Sequence, residues 1–163
     1  MKKVILFICL ALLSIIFISC NKDDEYLELT NLRESQIFTQ EADSYYIYFH
    51  RDNCSGCETV KTQVLHYNYL TSKNDEIVKI YGLNLEKEGQ SKSYIYRTYE
   101  GEEGQGDKGT FYVDGVTEWN DLYIPGTPGL IKIETIDGVK TAKFVCQGAS
   151  KIGSYLGDLG WKD

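Results

Sequence analysis

The chain has 163 residues, of which 42% are hydrophobic and 25% are charged, and its formal net charge is −7. This length fits a single domain, and the apolar share is sufficient for a folded core. The excess of acidic over basic residues, 24 against 17, argues against a nucleic-acid-binding protein, which needs a basic surface to neutralise phosphates. Five cysteines are too few for a scaffold held together by disulfides.

The N-terminal segment 1–19 has the pattern of an export signal. Lys2 and Lys3 precede an apolar run at 4–18, which is short for a membrane span and typical of the hydrophobic region of a signal peptide. The run ends in Ser19-Cys20, which resembles the lipobox of bacterial lipoproteins. The resemblance implies cleavage before Cys20 and attachment of a lipid such as palmitate to that cysteine.

An uncleaved N-terminal anchor, with Cys20 an ordinary thiol, is the alternative. Because the lysines precede the apolar run, the positive-inside bias places the rest of the chain outside the cytoplasm in either case. After cleavage, residues 20–29 would form a lipid-anchored tether and residues 30–163 the folded domain. Three cysteines would then remain for thiol chemistry: Cys54, Cys57 and Cys146.

The folded domain is predicted to alternate strands and helices. An aromatic strand at 44–49 precedes a helix from about 57 to 70, whose apolar residues recur at spacings of three and four. The helix is expected to stop within the polar segment 71–75. Further predicted elements are a strand at 77–85, a helix at 91–99, an exposed acidic loop at 100–109, a helical turn at 117–122, strands at 130–135 and 139–146, and a helix at 150–159. Asp137-Gly138 predicts a hairpin between the last two strands, and Ser150 is the expected N-cap of the last helix.

Four short motifs in this order resemble those of the thioredoxin-like family. They are Cys54-Ser55-Gly56-Cys57 after the aromatic strand, Leu83-Asn84-Leu85-Glu86 at the end of the next strand, Thr127-Pro128 before an apolar strand, and Gly148-Ala149 after the last strand. The resemblance implies an α/β thioredoxin-like fold, with a central mixed sheet, flanking helices and an insertion before the cis-proline strand. Within the family, the chain is most similar to thioredoxin-like lipoproteins and weakly similar to bacteriocin-transport accessory proteins.

The Cys54/Cys57 pair has a chemical rationale at the start of a helix. Unpaired N–H groups and the helix dipole stabilise a thiolate there, so Cys54 is the expected nucleophile. Cys57, one turn later and more buried, would resolve a mixed disulfide by attacking Cys54. The resemblance also implies that Thr127-Pro128 is cis and docks an extended substrate, whereas a trans proline in an ordinary turn is the alternative.

Three other interpretations of the cysteine pair stay open. It could be an inert structural disulfide, or the fold could have lost its redox role and serve as a binding module. It could also be half of a zinc site, which needs about four ligands. The other ligands would then come from Cys146, His50 and His66, although His66 is expected to face solvent.

The chain departs from thioredoxins around the pair. It has Asn53 where they have Trp, Ser55-Gly56 where they have Gly-Pro, Tyr48 where they have a buried acid, and Gly82 where they have Lys. These changes question thioredoxin-like reducing efficiency but leave the nucleophile in place. Nearby charges oppose one another: His50 and Arg51 would stabilise a thiolate, and Asp52 and Glu58 would destabilise it.

Two features have both a structural and a functional interpretation. Cys146 is expected to be a small buried residue, or else a third redox thiol or a partner in a mixed disulfide. The acidic loop and the 13 tyrosines could form a partner surface, although such a loop is usually a solvated insertion.

The sequence therefore predicts a membrane-anchored, extracytoplasmic thiol–disulfide oxidoreductase that uses no cofactor. Its expected partners are thiols and disulfides of proteins or peptides outside the cytoplasm, a membrane redox partner that resets it, and the membrane itself, but no nucleic acid. The alternative is a non-catalytic thioredoxin-like lipoprotein that binds a peptide or export machinery and holds Cys54–Cys57 as a static disulfide.

Overall fold

The structure is a computed structural model that describes residues 28–87, 113–124 and 126–160. The predicted signal segment, Cys20, most of the tether, the predicted helix at 91–99 and the acidic loop at 100–109 lie outside the described residues. No helix within the described ranges is long and apolar enough to cross a membrane.

Four strands form one mixed sheet in the order β2-β1-β3-β4. They are β1 (Ser44–His50), β2 (Lys79–Asn84), β3 (Gly129–Ile136) and β4 (Val139–Gln147). The pairing is parallel between β1 and β2 and antiparallel between β1 and β3 and between β3 and β4. The predicted mixed sheet is confirmed, and its central strand β1 is buried on both faces, as its aromatic, β-branched sequence requires.

Two helices, α1 (Ser55–Lys73) and α2 (Ala149–Gly160), pack on the same face of the sheet. This layer of the core contains Tyr46, Tyr48, Val60, Val64, Tyr67, Ile80, Leu130, Ile152 and Leu156. The opposite face carries the odd-numbered side chains of β1 and is covered by two irregular segments near 32–38 and 113–124. Each of these segments contains a short 3-10 helix, Glu34–Gln36 and Trp119–Asp121, the second of which lies within the predicted helical turn.

The β3–β4 hairpin turns at the predicted dipeptide. Asp137 and Gly138 have φ values of 51° and 80°, and Ile136 pairs with Val139 across the turn. Two consecutive left-handed residues are the requirement of a type I′ turn, which Asp-Gly satisfies at low steric cost. The predicted hairpin is therefore confirmed.

One predicted helix end is confirmed and one predicted helix start is wrong. Helix α1 ends at Lys73, within the segment 71–75 where the sequence predicts it to stop, and the Asn74 N–H donates to the Leu70 carbonyl at 3.1 Å. Helix α2 begins at Ala149, immediately after Gly148 with its φ of 91°, so Ser150 lies inside the first turn and is not the N-cap.

Residues 28–32 form a segment, here called the strap, that runs along the outer edge of β2. The Gly82 N–H donates to the Thr30 carbonyl at 2.9 Å, and the Leu32 N–H donates to the Gly82 carbonyl at 2.8 Å. A Cβ atom at Gly82 would lie 2.5 Å from Oδ1 of Asn31 and 2.8 Å from Cδ2 of Leu29. Glycine at this position therefore lets the strap pack closely against the strand.

Candidate redox site

The loop from β1 to α1 is held by a side chain of the neighbouring strand. Asn53 adopts a left-handed conformation with a φ of 53°, which asparagine tolerates better than a tryptophan would. The Asn84 amide donates to Oδ1 of Asp52 at 3.0 Å, and its oxygen accepts from the Glu86 N–H at 2.9 Å. The buried Asn84 thus fixes the loop that ends at Cys54.

Cys54 and Cys57 are joined by a disulfide, with 5.2 Å between their Cα atoms. Cys54 is the N-cap of α1, and its Sγ accepts a hydrogen bond from the Cys57 N–H at 3.2 Å. The predicted place of Cys54, directly before the helix, is confirmed, and its role as the nucleophile stays a prediction. The expected difference in burial is small, because Cys54 is 7% exposed and Cys57 is 5% exposed.

The Thr127-Pro128 segment faces this disulfide, although it follows 70 residues later in the chain. Oγ1 of Thr127 lies 3.9 Å from Sγ of Cys54, and a Cβ atom on Gly56 would lie 3.0 Å from Cδ of Pro128. The Thr127-Pro128 peptide bond is cis, so the trans alternative is wrong. The Pro128 carbonyl accepts from the Gly148 N–H at 2.9 Å, which ties the segment to the end of β4.

An open cleft of about 430 Å³ lies behind Cys57, between the strap, the end of β1 and helix α1. The Tyr48 and His50 rings stack along it, with centroids 5.4 Å apart and planes inclined by 11°. The Tyr48 hydroxyl donates to the Cys57 carbonyl at 3.4 Å. Burial raises the pKa of Tyr48, with the Glu58 charge adding to the effect, so the hydroxyl stays a neutral donor at physiological pH.

His50 is half-buried at the edge of this cleft. Burial lowers its pKa, and Lys87 and Lys61 lower it further against the opposing influence of Asp52 and Glu58. The imidazole is therefore neutral at pH 7 and does not supply the positive charge expected from the sequence. Burial of the ring is the largest cause of the lowered pKa, and no local sequence pattern reveals it.

Asn31 is a residue of the cleft that sequence reasoning missed. Its Oδ1 lies 2.7 Å from Nε2 of His50, and its Nδ2 donates to the Leu29 carbonyl at 3.2 Å. The contact arises because the strap pairs with β2 at Gly82. This pairing joins residues about 50 positions apart, so no local sequence motif predicts it.

The other two site candidates, Cys146 and His66, do not line the cleft behind Cys57. Cys146 is a half-buried free thiol on β4, paired across the sheet with Leu130, and burial raises its pKa to about 11 while Lys151 opposes the shift. His66 is exposed on α1, as predicted. No group of three His, Cys, Asp or Glu side chains that could hold a metal ion occurs in the part of the chain that the structure describes.

The site thus consists of a disulfide at a helix N-terminus, a cis-proline segment facing it, and a cleft behind the second cysteine. A disulfide in this setting can exchange with external thiols, provided that a thiolate can reach one of its sulfurs. No protein-family model matches the chain, and no curated protein matches it.

Proposed function

We propose that this protein is a thiol–disulfide oxidoreductase with a thioredoxin-like fold, anchored by a lipid on the outer face of the cell membrane. The observation that carries the proposal is the Cys54–Cys57 disulfide at the N-terminus of α1, placed opposite Thr127-Pro128. The four-stranded mixed sheet and the two helices on one face are compatible with this fold.

In the proposed reaction, a substrate thiolate attacks Sγ of Cys54. The Cys54–Cys57 bond breaks, a mixed disulfide forms with Cys54, and Cys57 leaves as a thiolate. A second substrate thiolate then attacks the mixed disulfide, so the substrate leaves as a disulfide and the protein keeps two electrons as a dithiol. The reverse sequence reduces a substrate disulfide, and a membrane redox partner returns the protein to its starting state.

The Thr127 backbone is proposed to pair with an extended substrate segment next to Cys54. An extended peptide binds through main-chain hydrogen bonds, which suits many sequences. Because the Thr127 hydroxyl lies 3.9 Å from Sγ of Cys54, a chain bound there would bring its own sulfur close to the disulfide. No cofactor takes part in this scheme.

The lipid anchor and the location rest on the sequence pattern that ends in Cys20. Cells are labelled with radioactive palmitate, and the protein is immunoprecipitated as the wild type and as Cys20→Ser. We expect label in the wild type and none in the variant. Label that persists in the variant would rule out anchoring through Cys20.

One observation favours the rival function, a non-catalytic binding protein. Both sulfur-bearing residues are more than nine-tenths buried, and a static disulfide is typically inaccessible to thiols. Such a protein would hold a peptide or export machinery in the same groove without exchanging electrons.

Trapping in the living cell separates the two functions. In Cys57→Ser, a substrate bound to Cys54 cannot be released by the resolving thiol, so we expect mixed disulfides that migrate as larger species on non-reducing gels. Cys54→Ser/Cys57→Ser should give none, and Cys146→Ser added to Cys57→Ser should leave the adducts unchanged. Absence of adducts, together with a wild-type disulfide that persists in millimolar dithiothreitol under native conditions, would establish the rival.

A further inference from the structure

The cleft behind Cys57 contains a single histidine among groups of fixed charge. Charged side chains line it from every element packed around His50: Glu28 from the strap, Arg51 and Asp52 from the loop, Glu58 and Lys61 from α1, and Lys87 from beyond β2. Carboxylates and ammonium or guanidinium groups keep their charge between about pH 5 and 9, whereas an imidazole gains or loses a proton within this range. His50 is therefore the lining group suited to proton exchange near neutrality.

The contacts of Asn31 determine which nitrogen of His50 can accept a proton. The Asn31 amide nitrogen donates to the Leu29 carbonyl, so it is the amide oxygen that faces Nε2 of His50. An amide oxygen only accepts hydrogen bonds, so Nε2 carries the hydrogen in the neutral ring. The lone pair on Nδ1 is then the basic site.

Tyr48 connects the His50 ring to the backbone of Cys57. Tyr48 stacks on His50 and donates its hydroxyl hydrogen to the Cys57 carbonyl, so one side chain contacts both residues. Cys57 itself lines the same cleft as the imidazole. A base and the thiol that must lose a proton thus share one partly enclosed space.

We propose that His50 is the proton acceptor for the Cys57 thiol in the resolving step of thiol–disulfide exchange, an inference that rests on the oxidoreductase function proposed above. In this step Cys54 is bound to a substrate sulfur, and Cys57 is a thiol. Nδ1 of His50 takes the proton from Cys57, and the resulting thiolate attacks Sγ of Cys54. The Cys54–Cys57 bond forms, the bond to the substrate breaks, and the substrate leaves as a thiolate with the electron pair. The imidazolium then returns its proton to water.

The burial that lowers the pKa of His50 supports this role, because a neutral imidazole at pH 7 is ready to accept a proton. The Cys57 thiolate is not stabilised by the hydrogen bond that its own N–H gives to Cys54. Deprotonation of Cys57 therefore depends on a base more than deprotonation of Cys54 does.

The resolving step can be measured directly with glutathione disulfide as the probe. Reduced full-length protein is mixed with enough probe for the glutathione adduct on Cys54 to accumulate, quenched in acid at successive times, and examined by mass spectrometry. In His50→Gln we expect the adduct to decay at least about tenfold more slowly than in the wild type at pH 7. Above about pH 9.5, where solvent hydroxide deprotonates ordinary thiols, the two rates should converge.

His66→Gln is the matched control, since His66 is the other histidine of the chain and lies exposed on α1. The glutathione adduct of this variant should decay at the same rate as that of the wild type at every pH. Asn31→Asp provides a second test that retains the histidine: a carboxylate beside Nε2 favours the imidazolium, so the rise of the decay rate with pH should move to higher pH.

The outcomes separate the two proposals. If the wild type forms neither the adduct nor the intramolecular disulfide, the oxidoreductase function and the role of His50 are both overturned. If the wild type resolves the adduct but His50→Gln has the same pH profile, or is slowed equally at all pH values, only the role of His50 is overturned.

Discussion

The backbone N–H of Cys57 donates a hydrogen bond to Sγ of Cys54 over 3.2 Å. In the disulfide this bond caps the first turn of α1, and after reduction the same N–H can donate to a Cys54 thiolate. Hydrogen bonds to a charged acceptor are roughly twice as strong as those between neutral groups. The donor, together with the helix N-terminus, therefore distinguishes two cysteines that are almost equally buried.

In the reduced protein, iodoacetamide should modify the three described cysteines in a fixed order at pH 7. Cys54 should react first, since only its thiolate receives the helix N–H groups. Cys146 should react last, because its pKa is raised to about 11 by burial and few molecules carry the thiolate. Time-resolved alkylation with peptide mass spectrometry gives the order, and modification of Cys146 before Cys54 would contradict it.

Reduction should leave the protein folded. The bond joins residues only three positions apart, and closing so short a loop contributes about 2 kcal/mol by the chain-entropy relation. Urea unfolding of the oxidised protein, the reduced protein and Cys54→Ser/Cys57→Ser should therefore show a loss of this size and one cooperative transition in each. A reduced form that is already unfolded without urea would mean that the disulfide is indispensable to the fold.

Gly56→Ala should disturb the contact between α1 and the cis-proline segment. Alanine stabilises a helix interior by about 1 kcal/mol over glycine, and some of this gain would be expected at Gly56 in the first turn of α1, but the new Cβ would lie 3.0 Å from Cδ of Pro128. We expect no gain in the free energy of unfolding, and slower reduction of the disulfide by dithiothreitol. Gly157→Ala in α2 is the control, since nothing lies within 4 Å of its Cβ position, and it should gain about 1 kcal/mol without changing the reduction rate. Equal gains in both variants would show that Pro128 moves aside freely.

The stability of the oxidised protein should fall as the pH drops through the titration of His50. The folded-state pKa lies below the ordinary value of 6.5, so the unfolded chain binds more protons in this interval. The contribution of the neutral His50 to the free energy of unfolding is therefore fully present above about pH 6.5. It is lost as the pH falls toward and through the folded-state pKa. Urea titrations between pH 5 and 7.5 should show this slope in the wild type and His66→Gln, and a smaller slope in His50→Gln. The lowered pKa of Glu134 acts below this range, since its ordinary value is 4.5.

The strands were predictable because local sequence composition or turn residues indicate them. Aromatic and β-branched residues mark β1, and Asp137-Gly138 marks the hairpin, so the predicted strand bounds differ from the observed ones by at most two residues. The start of α2 was not predictable from local preference, since serine is a good N-cap in general and Ser150 was expected to take that place. The helix begins one residue earlier, at Ala149, because the Gly148 carbonyl accepts the first helical hydrogen bond, from the Ile152 N–H at 3.1 Å.

The site was predictable only where its residues form a motif. Cys54, Cys57, Thr127 and Pro128 were all named from the sequence, and the structure brings the disulfide and the Thr127-Pro128 segment together. The charge state of His50 and the contact of Asn31 depend on burial and on pairing between distant segments, and neither leaves a local pattern. The cleft behind Cys57 therefore became visible only in three dimensions.

If Cys20 bears the proposed lipid, the chain between that residue and the strap limits how far the cleft can lie from a bilayer. Glu28 lies at the lip of the cleft, where its carbonyl accepts a hydrogen bond from the Asn68 side chain at 3.1 Å. With Cys20 lipid-bearing, as proposed, the eight peptide links from Cys20 to Glu28 span at most about 28 Å when fully extended. Under the proposed anchoring, the tether would keep Glu28, and with it the strap side of the cleft, within this distance of the lipid-bearing residue.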